Sequence, residues 1–519
     1  MARTRLLNLL QRIANAPVVP HGDAGRRRLM FEGTALGLLA AAPRWAVAAT
    51  TRPKPRVAVV GAGLAGLTAA WTLHRAGVEC RVYEASERPG GRCRSEREAF
   101  AGGQVAERGG EFIDSVHREI IALCKTLELS LDDVLAAEAP GTAALTWIDG
   151  APYSTRQATR DFQPVYPIVQ RQARAIGEDL GYRHANRSAR ALDAISVAQW
   201  IDRHVPGGRA SRLGRTLDDA YTEEFAVETT RISAVSLVTT LSAARASQFE
   251  PYAGSDQRFH VRGGNDRIVA RLAQALGGQL HLETRLTAVT QSGDGHVRLG
   301  LEDAAGRREE VFDRVVLALP FSTLRKVDLS EAAFRPLKMR AIRELPMGSS
   351  TKLQLQFEER FWNRQRSNGM VAMTGAPFHS TWEPTRAQAG RHGLLNFWSG
   401  GELALAAATP TEAVAAGAAV EALGRVLEIP PESWNQRVIR DAWHAHPWSH
   451  GSYAYYPVGY VTTVLGIEPE PEGHCHFAGE HTSLAWQGFL NGAVESGLRA
   501  AEEVLRETRQ SRRKRSSRS

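Results

Sequence analysis

The chain has 519 residues, 43% apolar and 23% charged, which describes an ordinary folded protein too long for one simple core, so two or more domains are expected. The net charge of +8 does not point to nucleic acid, because much of it sits near the ends, in Arg26-Arg27-Arg28 and in Arg512-Arg513-Lys514-Arg515 with Arg518. Four cysteines, Cys80, Cys93, Cys124 and Cys475, lack metal-ligand spacing and are too few for a disulfide scaffold, which leaves buried thiols.

In chain order, Arg26-Arg27-Arg28-Leu29-Met30-Phe31 precedes an apolar run ending near Ala42. That run is about 14 residues long, short of the ~20 that cross a bilayer. Ala46-Val47-Ala48 then offers a small-residue processing site. The adjacent arginines resemble a twin-arginine export signal over 1–49, which predicts a periplasmic or secreted protein exported already folded. An amphipathic or unstructured N-terminus on a cytoplasmic protein is the alternative. No membrane span is expected in the mature chain, which enters its first domain through 50–55.

Val57-Ala58-Val59-Val60 reads as a buried strand. Gly61, Gly63 and Gly66 follow at the G-x-G-x-x-G spacing and open a helix-forming run, 67–75. In a strand–turn–helix, the first glycine permits the turn, the second admits phosphate to the backbone, and the third lets helix and strand pack closely. Helix amides then face a pyrophosphate. A second strand, 79–83, ends in Glu84, about 20 residues beyond the glycines, where a carboxylate accepts from a ribose. Arg88-Pro89-Gly90-Gly91-Arg92 makes a second turn with two cations.

Gly109-Gly110-Glu111-Phe112 precedes an apolar-periodic segment, and a glycine pair there brings backbone close to a planar cofactor or simply makes a turn. From about 130 to 255 the pattern turns helical, with amphipathic segments at 166–176, 191–200 and 217–225. Tyr221 and Phe225 lie at helical spacing, which favours core over pocket wall. Phe259-His260-Val261 leads through Gly263-Gly264 into a helix over 268–275, and 311–319 reads as one buried strand stopped by Pro320. Segment 350–357 alternates as a half-buried strand, in which Lys352 on its own reads as a surface lysine. A strand over 394–398 and an Ala-rich helix over 411–427 follow. Trp443 to His450 holds three histidines, but His450 is too distant from His444 and His446 for a three-ligand site, so no metal is expected. Aromatics crowd Tyr453-Ala454-Tyr455-Tyr456, and Gly492 leads into a closing helix.

Together these motifs resemble the flavin-dependent amine oxidase family, which includes monoamine oxidases, polyamine oxidases and L-amino-acid oxidases. The resemblance runs from about 55 to 506 on four separated signatures: the first glycine turn, Pro89-Gly90-Gly91-Arg92, Lys352 with Phe361-Trp362, and Ala478-Gly479-Glu480 with Gly492-Ala493. It implies an α/β fold of mixed α+β character. A Rossmann-like FAD-binding domain (55–120, 256–330 and 440–506) is interleaved with a substrate domain of mixed sheet and helices (121–255 and 331–439), and a basic disordered tail covers 507–519.

By the same resemblance, Gly61, Gly63, Leu64, Ala65 and Gly66 serve the pyrophosphate turn, with Glu84 and Ala85 at the ribose. Gly91 and Arg92 form the second turn near the phosphates. Gly109, Gly110, Glu111, Val289, Gly479 and Gly488 complete the cofactor set, with Glu480 and Trp486 lining the isoalloxazine. Lys352 corresponds to the family lysine that holds a water near flavin N5, and Tyr453 and Phe489 to its two aromatic walls. The second wall is ordinarily tyrosine, so Phe489 keeps the ring and loses a hydroxyl. Ser452 stands where monoamine oxidases attach FAD through cysteine, which implies noncovalent FAD.

The implied reaction is oxidative deamination of a primary or secondary amine, giving an imine, then a carbonyl compound with ammonia or an amine, while O2 becomes hydrogen peroxide. The alternative is L-amino-acid oxidation to a 2-oxo acid. No arginine stands where the amino-acid oxidases grip a carboxylate near Gly110, and Arg108 need not face the pocket; Glu111 either favours a second cation, as on a diamine, or serves the fold. A noncatalytic FAD-binding partner is a reading of a different class. A homodimer is an assembly this family resemblance leaves open.

Overall fold

In the computed structural model, residues 55–516 are described apart from 292 and 294, with side chains as far as 509. The export segment expected over 1–49 lies outside the described residues.

Val57–Val60 has no polar position and is buried throughout. It forms the centre of a five-stranded parallel sheet, in the order 475–477, 314–317, 57–60, 80–83, 280–281. Continuous apolar runs suit parallel strands covered on both faces. Val57 pairs with Arg314 on one side and Cys80 on the other, so segments far apart in sequence return to one sheet. Helices Leu64–Arg75 and Asp266–Leu276 pack together, and the long helix Leu490–Ser516 lies against the first of them. That last helix continues past 507, where an unstructured tail was expected; Glu502, Glu503, Arg506 and Arg509 are strong helix formers.

The single strand expected over 311–319 is two. Gly306–Phe312 ends a three-stranded antiparallel sheet, and Arg314–Leu317 begins afresh in the parallel one. The break falls at Asp313, whose carboxylate accepts from the Arg56 amide at 2.7 Å.

A seven-stranded, mostly antiparallel sheet builds the second layer, in the order 434–442, 350–357, 393–400, 380–382, 367–373, 143–148, 151–152. Ser350–Phe357 alternates as the pattern predicts, yet all eight positions are buried. Its polar face, Lys352, Gln354 and Gln356, is covered by protein in place of water: Gln356 donates to the Ala101 carbonyl at 2.9 Å and Lys352 to that of Glu107 at 3.0 Å. Helices between 155 and 241 sit beside this sheet. The segment expected as one helix over 191–200 is split between Arg187–Asp193 and Val197–His204, because Ser196 caps the second in a capping box with Gln199. Tyr221 and Phe225 both enter the core. Among the described residues no helix is long and apolar enough to cross a membrane.

Candidate active site

The glycine turn closes as its spacing requires. Gly61 has φ +99°, and a Cβ on Gly66 would collide with the Gly61 carbonyl, so strand and helix are locked together. Gly63 differs: a Cβ there would meet no protein atom within 4 Å, because it faces an open cleft. Glu84 reaches back to the turn, accepting from the Ala62 amide at 2.8 Å through Oε2 and from Ser86 through Oε1.

The cleft has a volume of about 960 Å³, the upper end of the ~300–1,000 Å³ usual for small-molecule and cofactor sites. Gly61, Gly63, Leu64, Ala65, Glu84, Ala85, Gly91, Arg92, Gly110, Gly479, Glu480, Gly488 and Phe489 all line it. One end is thus a glycine turn, a helix N-terminus and an acid; the other is aromatic. These two unlike ends fit an elongated dinucleotide.

At the inner end Glu480 is a clasp, not a free wall. Its carboxylate accepts from Arg92 at 2.8 Å, from the Ala454 amide at 3.3 Å and from the Gly488 amide at 2.6 Å. Burial alone would raise its pKa, but the Arg92 guanidinium and the other donors hold it below the usual carboxylate range. Arg92 also donates to the Ser452 carbonyl at 2.7 Å. Its guanidinium is therefore committed to the clasp, where sequence placed it with the phosphates, while Arg88 and Arg94 also line the cleft.

Two further cofactor assignments are corrected. Val289 is 1% exposed, sits in the core, and gives its amide to Asp328 at 2.9 Å. Leu286 and Thr287 line the cleft instead, and a register shift between Leu286 and Ala288 separates them from Val289. Trp486 lines neither cavity; it packs behind Phe489, with ring centroids 6.5 Å apart and near-perpendicular planes. His117, which no sequence signal singled out, meets the Phe489 ring at 5.0 Å. Burial lowers its pKa to about 4, so it packs there as a neutral ring.

A second cavity of about 580 Å³ adjoins the cleft, and Tyr453 and Phe489 line both. The Tyr453 hydroxyl donates to the Glu223 carbonyl at 3.2 Å. Lys352 lines only the second cavity and is 1% exposed, so it is no surface lysine. Its ammonium donates to the Glu107 and Gly109 carbonyls, each at 3.0 Å, and to Glu111 at 2.8 Å. Those three bonds use all its protons.

Glu111 also accepts from the Trp382 indole at 2.8 Å and from Asn396 at 3.0 Å. The expectation that Glu111 greets a second substrate cation is overturned, since its lone pairs are already taken by protein donors. Gly109 and Glu111 likewise line only the second cavity, so neither faces the cofactor cleft as expected. Gly109 packs so close that a Cβ would collide with the Arg92 carbonyl.

Each cation on the second cavity's wall has an acidic partner: Lys352 with Glu111, Arg92 with Glu480, and Arg386 with Glu138 at 3.2 Å. Arg108 is absent from that wall and bonds Asp441 at 2.9 Å. Asp219 and Glu223 line the same wall, and burial pushes each up to about 7.

The family described as flavin containing amine oxidoreductase matches the chain over residues 64–505. An L-amino-acid oxidase from Mus musculus is 27% identical over 482 residues, 88% of this chain and 71% of the relative. Amine oxidase [flavin-containing] A from Sus scrofa is 26% identical, covering 86% of this chain and 84% of its own. The solved structure of cyclohexylamine oxidase from Brevibacterium oxydans IH-35A superposes with a TM-score of 0.76 at 22% identity, covering 88% of this chain and 99% of that one.

Proposed function

The chain belongs to the flavin containing amine oxidoreductase family, and from that premise we infer that it binds FAD noncovalently and oxidises an amine with O2 as acceptor. One observation carries this reading: Tyr453 and Phe489 stand between the cofactor cleft and a cavity whose wall cations are all paired with acids. When bound, the flavin supplies the two-electron oxidation of the amine's C–N carbon and the reduction of O2 to hydrogen peroxide.

The residues of the chain do the rest. The two rings orient a neutral amine by its faces, since a strong cation–π clamp would hold the unreactive ammonium form. Lys352 fixes the glycine pair against the sheet and has no proton left over for an acid role. Glu480 and Arg92 hold the inner loops at fixed spacing. The imine that leaves is hydrolysed in water to a carbonyl compound and ammonia or a smaller amine. Ser452 donates its hydroxyl to the Gly348 carbonyl at 2.9 Å and has no sulfur for a thioether, which supports the noncovalent assignment.

One observation favours the second reading, L-amino-acid oxidation. Arg386 lines the wall with its side chain partly exposed, Glu138 engages it through one nitrogen only, and its Nε has no hydrogen-bond partner, which leaves it capacity to turn toward a substrate carboxylate. Peroxide release from a panel of amines and the matching amino acids decides between them. Turnover of amines supports our reading; turnover of amino acids alone replaces it; no flavin reduction by any member sinks both. The arginine-led segment at 26–48 supports export of the folded, cofactor-loaded protein, which fractionation of the expressing cells tests.

A further inference from the structure

One carboxylate in the second cavity is short of donors. Glu223, on helix Arg212–Phe225, is 7% exposed and lines the wall. Its Oε1 meets the Ser380 hydroxyl, and its Oε2 lies 3.1 Å from the Tyr252 hydroxyl. Tyr252 has a single proton for two acceptors, because the Ala220 carbonyl is also 3.1 Å away. An ionised carboxylate accepts about four hydrogen bonds; Glu223 is offered two at most, both from neutral groups.

No Lys or Arg forms an ion pair with Glu223 among the described residues. The charged groups acting on it are acids of its own helix, Glu224 and Asp219. From the neighbouring strand Ser380 faces it, and His379 beside Ser380 is held neutral by burial, with a pKa lowered to about 4. A buried ion without a cation is costly, so such a group either keeps its proton or receives a cation from outside. Its own carbonyl holds the Tyr453 hydroxyl, which ties the carboxyl to the aromatic wall through one residue.

Resting on the amine-oxidation reading, we propose that Glu223 selects substrates with a second ammonium group, such as α,ω-diamines, by receiving the remote cation while the reacting amine lies between Tyr453 and Phe489. A remote alkylammonium is charged at neutral pH and brings the donors the carboxylate lacks. Asp219, one helical turn or about 6 Å away, extends the acidic wall for longer chains.

Calorimetric titration of the flavin-loaded protein tests this. The probes are an α,ω-diamine whose two nitrogen-bearing carbons each carry two methyl groups, and the monoamine of the same kind and chain length; with no hydrogen on those carbons neither is oxidised, and the ammonium groups keep their N–H donors. Wild-type protein is expected to bind the dication at least about tenfold more tightly, the ratio of one charge-assisted contact. E223Q removes that advantage, E223D keeps part of it, and in wild type it fades below about pH 7, where Glu223 is protonated. Equal affinity of wild type for both probes, or an advantage that survives E223Q or is flat with pH, overturns the proposal. Flavin reduction by the diamine and monoamine that lack those methyl groups reads the underlying amine-oxidase assignment separately, because the titration requires no turnover.

Discussion

The Lys352 ammonium lies 2.8 Å from the Glu111 carboxylate, with side chains 2% and 5% exposed. The pair joins the seven-stranded sheet to the glycine pair 109–110, and each partner is completed by neutral donors or carbonyls. A buried pair of this kind adds little net stability over apolar residues of the same shape, but removing one member strands the other. E111A is therefore expected to destabilise by about 3–5 kcal/mol in denaturant unfolding. The double variant E111Q/K352M should recover much of that loss; additive losses would show that the two charges are not coupled.

The glycine turn makes a contrast between two alanines. At Gly66 a Cβ collides with the Gly61 carbonyl, whereas at Gly63 it meets only open cleft. G66A is expected to lower the melting temperature of the protein even without flavin. G63A should leave the flavin-free protein as stable as wild type and weaken flavin binding, read by absorbance after dialysis. Unchanged flavin retention in G63A would remove the cofactor from this end of the cleft.

Tyr453 and Phe489 line both cavities, and the proposed reaction uses them as orienting walls. Y453A and F489A should retain flavin and lose about 10²-fold in kcat/KM, the size of effect expected when a reacting group is misplaced by an ångström. F489Y keeps the ring and should keep most of the activity. Steady-state assays on protein of equal flavin content check this.

Glu223 and Asp219 predict an unusual pH dependence of stability. Burial raises both to about 7, above an unfolded Glu or Asp at about 4. Between those limits the folded protein binds more protons than the unfolded chain, so their contribution to stability falls as pH rises from about 4 to 7. E223Q should flatten part of that slope in unfolding experiments between pH 5 and pH 8. A slope identical to wild type would mean that Glu223 is ionised throughout.

Acid precipitation gives a direct check of the cofactor linkage. With serine at 452 the flavin is expected in the supernatant. Yellow colour retained in the pellet would contradict noncovalent binding.

The parts of this molecule that were legible in the sequence are those whose cause is local. Gly61, Gly63 and Gly66 act on atoms within a few residues of themselves, and the apolar run before them needs only to be buried. Glu84 follows from the length of one helix and one strand. The alternation in 350–357 was equally visible, but period-2 alternation says only that one face is polar, not what covers it. Lys352 is buried because residues near 107–111, more than 240 positions earlier, supply its carbonyl and carboxylate partners. Val289 was misplaced because a strand irregularity at 286–288 has no clear sequence mark.

By itself, then, the sequence determined a glycine turn of dinucleotide spacing and the family, and it singled out Tyr453, Phe489 and Lys352 as candidates. Only the tertiary structure decided which charges remain for a substrate. It paired Glu111 with Lys352, Glu480 with Arg92 and Arg386 with Glu138, and it left Glu223 with two neutral hydroxyls. A side chain's availability depends on how many donors reach it in space, and those donors come from segments that no spacing along the chain connects.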